Sequence, residues 1–217
     1  MVRRRILIVS FLGALLLAGT TAAYAESLLE LARGGAPQQV QAALDAGADV
    51  NERGRNGVTP LMLAALFNRD PDVIRVLMRA GARLTDTNSD GRNALQLAAQ
   101  FSGNPAVISA LLSAAGVTDT DAKTALLFAA ESNPNPETIA VLVRAGQNID
   151  ATMSDGRTPL MLAAEFNQNP AVISALLLAG ANAKLKSNEG KTALDYGEEN
   201  PKLKGTREYL ELKSATQ

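Results

Sequence analysis

The chain has 217 residues, a formal net charge of −1, and neither Cys nor His. These absences exclude thiolate and imidazole catalysis, disulfides and Cys/His zinc sites. Hydrophobic residues make up 47% of the chain but aromatic residues only 4%, so we expect an interior of Ala, Leu, Ile and Val on closely packed helices.

The first 25 residues have the pattern of a secretory signal peptide. Arg3–Arg5 precede an apolar run over residues 6–18, and Ala23-Tyr24-Ala25 matches a small-x-small cleavage pattern. The alternative is an uncleaved membrane anchor, but the run is shorter than the roughly 20 residues that a spanning helix needs. We therefore predict cleavage after Ala25, no stable membrane anchor after cleavage, and a secreted protein in a bacterial periplasm.

The chain from Glu26 onward is mildly acidic. Removal of residues 1–25 takes away three Arg and no acidic residue, which changes the formal net charge from −1 to −4. Nucleic-acid binding needs concentrated Lys and Arg to displace counterions from phosphates, and the sequence has no basic stripe. We expect no nucleic-acid partner.

Five segments align as the first helices of repeated units, at spacings of 34, 31, 34 and 34 residues. They begin at Thr59-Pro60-Leu61, Asn93-Ala94-Leu95, Thr124-Ala125-Leu126, Thr158-Pro159-Leu160 and Thr192-Ala193-Leu194. The first four lead into pairs of alanines, whose small side chains let neighbouring helices approach closely. These pairs are Ala64-Ala65, Ala98-Ala99, Ala129-Ala130 and Ala163-Ala164.

Second helices are predicted where an Asp or Asn cap precedes Pro at the first helical position, since the missing N–H of Pro costs nothing there. The caps are Asp70-Pro71, Asn104-Pro105, Asn135-Pro136 and Asn169-Pro170. Glycines suited to the left-handed position after a helix follow at Gly47, Gly81, Gly116, Gly146 and Gly180. Turns that project between units, which we call fingers, contain Asn56-Gly57, Asp90-Gly91, Asp155-Gly156 and Glu189-Gly190.

These motifs resemble the ankyrin repeat family. Residues 46–51 (Ala-Gly-Ala-Asp-Val-Asn) are similar to the family's tail motif, and residues 57–65 (Gly-Val-Thr-Pro-Leu-Met-Leu-Ala-Ala) to its head motif. Residues 155–164 match the head again. The resemblance implies an all-α solenoid over residues 26–217. Its six units span about 26–58, 59–92, 93–123, 124–157, 158–191 and a cap at 192–217.

Three features depart from the family pattern. The head-motif His is replaced by Met62, Gln96, Leu127, Met161 and Asp195, so its hydrogen bonds must be absent or remade. The link between the two helices of a unit is one residue longer than usual, as in residues 67–71. The finger after Gly116 is cut short, which predicts either a notch that receives part of a partner or a degenerate repeat.

In this family, partners dock on the concave surface formed by the finger tips and the outer side of the first helices. The resemblance therefore implies partner binding by Arg53, Arg55, Asn56, Val58, Asn88, Asp90, Arg92, Thr152, Ser154, Asp155, Arg157, Lys186, Asn188, Glu189 and Lys191. The alternative is that these turns are polar only because they are solvated.

Three phenylalanines recur just after the alanine pairs, at Phe67, Phe101 and Phe166, with Ser132 at the corresponding place in the unit that follows the shortened finger. They form either an aromatic ladder for a partner or a cover for the lengthened loop of each unit. We favour the cover, because the inserted residue needs something to pack against.

The sequence contains no catalytic constellation, phosphate loop or metal cluster, so we predict no enzyme, no cofactor and no metal site. We expect a non-catalytic periplasmic scaffold that is a monomer when unbound and binds a protein partner on the concave surface. One alternative is an inhibitor or immunity-type guard of a periplasmic enzyme, such as one acting on the cell wall. A less favoured alternative is an enzyme of unknown type.

Overall fold

The structure, a computed structural model, describes residues 27–114 and 119–217. The expected signal peptide and the helix end at Gly116 lie outside these residues. Within them the chain is all-α and contains no strand. The helices are α1 (Leu28–Gly34), α2 (Pro37–Asp45), α3 (Pro60–Phe67), α4 (Pro71–Arg79), α5 (Ala94–Phe101), α6 (Pro105–Leu112), α7 (Asp119–Ser132), α8 (Pro136–Arg144), α9 (Pro159–Phe166), α10 (Ala171–Leu178), α11 (Ala193–Gly197) and α12 (Arg207–Thr216).

The helices form six consecutive pairs, as expected for the solenoid. First helices stack on first helices in the order α1, α3, α5, α7, α9 and α11, and second helices stack in a parallel row. The alanine pairs lie at the centre of the first-helix row and are at most 1% exposed. Their short side chains allow the helices to pack closely, and Leu, Ile and Val of the second helices fill the space behind them.

Side-chain caps fix where the helices begin. Thr59 accepts a hydrogen bond from the Met62 N–H, and Asn104 accepts one from the Ala106 N–H. The cap at Asn169 differs by one residue: its side chain still accepts from Ala171 N, but α10 begins at Ala171. The predicted helix ends at Gly47, Gly81, Gly146 and Gly180 are confirmed, with φ between 89° and 95°.

The hydrogen bonds of the missing head-motif His are remade at some units and lost at others. Gln96 accepts from the Asn93 N–H at 3.0 Å, and Asp195 accepts from the Thr192 N–H at 2.7 Å. Met161 offers only its sulfur to the Thr158 N–H, at 3.4 Å. Met62 and Leu127 are buried and contribute apolar packing.

In four units, the lengthened link between the two helices carries a buried asparagine that ties the unit to its predecessor. The side-chain amide of Asn167 donates to the carbonyl oxygens of Ala130 and Asn133, at 2.8 and 3.0 Å. The same bonds recur at Asn68, Asn133 and Asn200, each to two carbonyls of the preceding unit. We call these residues the amide ladder. The extra residue of the link therefore supplies a hydrogen-bonding group between units.

Helix α7 begins earlier than the repeat alignment predicts. The expected start of the fourth unit at residue 124 falls inside α7, whose N-terminal extension begins at Asp119. The Asn93 side chain donates to Asp121 at 2.8 Å, which joins this extension to the start of α5. A helical extension thus adjoins the place where the other units project a finger.

Helix α12 covers the end of the stack. Leu212 and Leu203 are buried against the last unit, while the surrounding residues of α12 are exposed and largely polar. This arrangement fits the cap expected at residues 192–217. None of the helices in the described ranges is long and apolar enough to span a membrane.

Candidate protein-binding face

The fingers on either side of the α7 extension are braced in two pairs. In the first pair, Ser89 N–H donates to the Asn56 carbonyl oxygen at 2.9 Å, and Arg53 donates to the Thr87 carbonyl oxygen and forms an ion pair with Asp86. The second pair repeats the main-chain bond from Asn188 to Asp155 at 3.0 Å. These bonds hold each pair as one unit, so the finger tips are pre-organised.

The ends of the fingers contact the outer side of the first helices, so that the two surfaces are continuous. Arg92 lies over the ring of Phe128 at 4.7 Å, and Arg157 lies over the ring of Phe166 at 5.6 Å. We call the exposed side chains of the fingers and first helices the inner face.

None of the residues proposed for partner binding is buried. Exposed ones are Arg53, Arg55, Asn56, Phe67, Asp90, Phe101, Thr152, Ser154, Phe166, Lys186, Asn188, Glu189 and Lys191; half-buried ones are Val58, Asn88, Asp155, Arg157 and Arg92. Several also brace the fingers, and Arg53 is one of them. The side chain of Arg55, in contrast, forms no hydrogen bond or ion pair to any other residue that the structure describes.

The three phenylalanines remain largely open to solvent. Phe67, Phe101 and Phe166 are 52%, 58% and 42% exposed. The loops after Phe67 and Phe166 are held by the amide ladder, because Asn68 and Asn167 bond both their own loop and the preceding unit, whereas the loop after Phe101 has Ser102 at that position. Guanidinium groups cover part of two of these rings: Arg33 lies 4.8 Å from the centre of Phe67 and Arg157 lies 5.6 Å from the centre of Phe166. The aromatic rings are thus available to a partner.

Sequence reasoning missed three first-helix residues that hold the finger arginines against the inner face: Gln100, Phe128 and Glu165. Gln100 and Glu165 each lie eight residues after a finger arginine and bond its guanidinium. The signal was that spacing, which recurs at Arg92 and Arg157. The spacing indicates a contact only when the finger is known to fold back onto the first helix.

Charge pairing at Arg157 alters two ionisation equilibria. Its main-chain N–H and guanidinium bond to Asp155 and lower the pKa of that carboxyl below its ordinary value. Burial alone would lower the pKa of Arg157, but hydrogen bonds to Asp155 and Glu165 raise it. This arginine is therefore held in a fixed, charge-compensated position.

Chemistry of other kinds has little support in the described ranges. They contain no cluster of acidic residues arranged to hold a metal ion. A groove of about 590 Å³ lies between α10 and α12, beside the exposed Leu178. It is away from the inner face and lies on the second-helix side of the stack.

The fold and this face define a repeat protein built to present a continuous surface. The family model for ankyrin repeats (3 copies) matches residues 28–124, 101–188 and 126–210. The chain therefore belongs to the ankyrin repeat family, a fold that typically serves as a non-catalytic protein-interaction scaffold.

Two solved structures are similar to this chain. One is a chain of the Bd0816 predatory endopeptidase from Bdellovibrio bacteriovorus in complex with immunity protein Bd3460, with a TM-score of 0.66 and 28% identity over 87% of this chain and 97% of that one. The other is EF0377, an ankyrin repeat protein, with a TM-score of 0.69 and 26% identity over 88% of this chain and 98% of that one. The comparison with curated proteins found no match.

Proposed function

We propose that this chain is an exported, non-catalytic scaffold that binds a protein partner on the inner face. The observation that carries this proposal is the set of half-exposed phenylalanines on first helices that belong to the two braced finger pairs. Large rigid side chains on a pre-organised surface lose little entropy on binding and are favoured at the centres of interfaces. Ankyrin repeats support the same type of function.

We place the working protein in a bacterial periplasm, as a monomer when unbound. The support is the sequence of residues 1–25, with its basic start, apolar run and cleavage pattern. N-terminal sequencing of the protein recovered from a periplasmic fraction should give Glu26 as the first residue. Recovery of the uncleaved chain in the membrane fraction would contradict this placement.

Affinity capture tests the inner face as the binding surface. The bait is the chain from Glu26, compared with a double variant Arg55→Glu and Phe101→Ser. The matched control is Arg79→Glu at the exposed end of α4, outside the inner face. We expect partners of the wild type to be retained by the control and lost by the double variant. Equal retention by all three baits would place the binding surface elsewhere.

A second candidate function is an inhibitor or immunity-type guard of a periplasmic enzyme, such as one that acts on the cell wall. The structural similarity to the complex of an endopeptidase with its immunity protein favours it. Such a guard needs only a surface that covers the active site of its target. The product of an adjacent gene is the first protein to test as that target.

The two candidates differ in what binding does to the partner. A guard should abolish the catalytic activity of the captured protein when added at equal molar amount, and the double variant Arg55→Glu and Phe101→Ser should fail to do so. A captured enzyme that keeps full activity in the complex would leave the scaffold proposal standing and rule out the guard.

A further inference from the structure

Arg92 and Arg157 occupy the same position in two different units. Each follows an Asp-Gly turn at the end of a finger, and each lays its guanidinium against a first-helix phenylalanine of the inner face. Differences between the two therefore arise from their neighbours. Arg92 and Arg157 can therefore be compared directly within one chain.

The charge of Arg157 is compensated within the protein. Its Nε lies 2.7 Å from an oxygen of Asp155, and its NH1 lies 2.8 Å from an oxygen of Glu165. A guanidinium held by two carboxylates offers little attraction to a third anion.

The charge of Arg92 is not compensated by the residues that the structure describes. Gln100 stands where the other unit has Glu165, and it gives the guanidinium a neutral acceptor. Asp90, the counterpart of Asp155, lies next to Asn88 and forms no ion pair with Arg92; nor does Glu131, which is half-buried on α7. Arg92 thus keeps its positive charge available.

The surroundings hold Arg92 in place and leave room beside it. Its main chain is fixed by two bonds to Asn88, and Gln100 is only 8% exposed. Ser132 takes the place that a phenylalanine has in the neighbouring units, and its hydroxyl is 3.5 Å from the amide nitrogen of Gln100. Ser132 is exposed and lies one helical turn after Phe128 on α7, so no phenylalanine covers the guanidinium from that position.

We propose that Arg92 is the anion anchor of the inner face and binds an Asp or Glu side chain of the protein partner. This inference rests on the proposed function, because it assigns the chemistry of the partner at that surface. An arginine stacked on an aromatic ring presents two parallel N–H donors to a carboxylate and loses little freedom on binding. Phe101, which follows Gln100 on α5 and is 58% exposed, offers an apolar surface on the same helix.

A blocked amino acid tests the anchor without knowledge of the partner. The probe is N-acetylglutamate methylamide, whose only charge is the side-chain carboxylate, and its control is the corresponding glutamine compound at the same ionic strength. The Nε–Hε signals of both arginines are followed by NMR in the chain from Glu26. We expect a saturable shift at Arg92 with the glutamate probe, a negligible shift with the glutamine probe, and no comparable shift at Arg157.

Substitutions at the two neighbours test whether Gln100 leaves the charge of Arg92 available. Gln100→Glu gives Arg92 a carboxylate of its own, and its affinity for the probe should fall about tenfold. Glu165→Gln frees one side of Arg157 and should leave the Arg92 response unchanged, which makes it the matched control. Backbone NMR spectra establish that both variants are folded.

Three results would overturn the anchor. They are an Arg92 response no larger than that of Arg157, an equal response to the glutamine probe, and an unchanged affinity in Gln100→Glu. Affinity capture separates this failure from failure of the proposed function. If the inner face still captures a partner while the titration fails, only the anchor is wrong; if the titration succeeds and the face captures nothing, the scaffold proposal is wrong.

Discussion

Asn167 donates from its side-chain amide to the main-chain carbonyl of Asn133, the residue that occupies the same position one unit earlier. Both residues are buried, at 2% and 1% exposure. A second bond from the Asn167 side-chain amide reaches the carbonyl oxygen of Ala130, and the side-chain oxygen of Asn167 accepts from the Asn169 N–H. The side chain therefore satisfies three main-chain groups at once, which otherwise would be buried without a partner.

Replacing Asn167 by Ala should lower the free energy of unfolding by about 2–4 kcal/mol. The loss comes from main-chain groups that stay buried after their partner is removed. Urea denaturation at equilibrium measures it. Gln168→Ala, at the exposed neighbouring position, should change stability by less than about 0.5 kcal/mol. Equal effects of the two substitutions would mean that the ladder has no special role in stability.

Ser102 interrupts the amide ladder and offers a test in the opposite direction. Its hydroxyl accepts a 3.3 Å bond from Asn104 N–H but does not reach back to the preceding unit. A cavity of about 440 Å³ borders Ser102 and Asn68, which gives a larger side chain room. Ser102→Asn should raise the free energy of unfolding by about 1 kcal/mol, seen as a higher urea midpoint with unchanged slope. A lower midpoint would show that the amide does not fit.

The sequence predicted the stack well because its signals are local. The start of a helix is determined by a cap such as Asn104, and its end by a left-handed glycine such as Gly47, each within a few residues. The structure confirms both, and it confirms that the alanine pairs are buried. The longer link was recognised but not its purpose, since the bonds of Asn167 join residues more than 30 positions apart. The early start of α7 was missed because Thr124 matches the repeat pattern for the start of a first helix. The alignment therefore placed the start at Thr124, whereas the helix begins at Asp119.

Gly156 and Gly91 hold the same turn position in different fingers, with φ of 81° and 74°. A Cβ at Gly156 would lie 2.6 Å from the side-chain oxygen of Asn188, whereas a Cβ at Gly91 would have nothing within 4 Å. Gly91→Ala should cost roughly 1–2 kcal/mol for the left-handed backbone alone. Gly156→Ala should cost about 3 kcal/mol, because the next finger must also move. Thermal unfolding of both variants measures the difference, and a smaller loss for Gly156→Ala would contradict the finger pairing.

Asp195 gives a pH-dependent contribution to stability. Hydrogen bonds from the main chain and hydroxyl of Thr192 lower its pKa below the ordinary value of 3.8. A lowered folded pKa stabilises the protein above the unfolded pKa, and that contribution is lost as the pH falls through the folded value. Asp195→Asn keeps the shape and removes the charge, so its melting temperature should fall less steeply between about pH 5 and pH 2 than that of the wild type. Parallel profiles would contradict the assignment.

Phe101 should matter for binding and little for folding. Its ring is more than half exposed, so Phe101→Ser should lower the free energy of unfolding by less than about 1 kcal/mol. Binding to a captured partner should weaken by about 2 kcal/mol, as for a central aromatic contact. Calorimetric titration measures the binding, with Leu178→Ser on the second-helix side as control. Equal affinities of Phe101→Ser and the wild type would remove the aromatic residues from the binding surface.

Prediction of the candidate face from sequence was partial for a physical reason. Family resemblance located the fingers, and every residue chosen there is at least partly accessible. The resemblance did not distinguish Arg157, whose charge is compensated, from Arg92. That difference depends on Gln100 and Glu165, which lie on the first helices and contact the arginines only in the folded chain. The sequence favoured a covering role for the three phenylalanines because the inserted residue of each link needs something to pack against, and it did not show the bonds that Asn68 and Asn167 make at two of these links.

The separation of the fingers into two braced pairs makes the protein a two-armed clamp. Helix α7 lies between the arms, and the hydrogen bond from Asn93 to Asp121 joins its N-terminal extension to the start of α5. A partner held by one arm is presented to the other at a high effective concentration, so two weak contacts combine into one strong attachment. A partner too short to bridge the two finger pairs would gain nothing from the second arm.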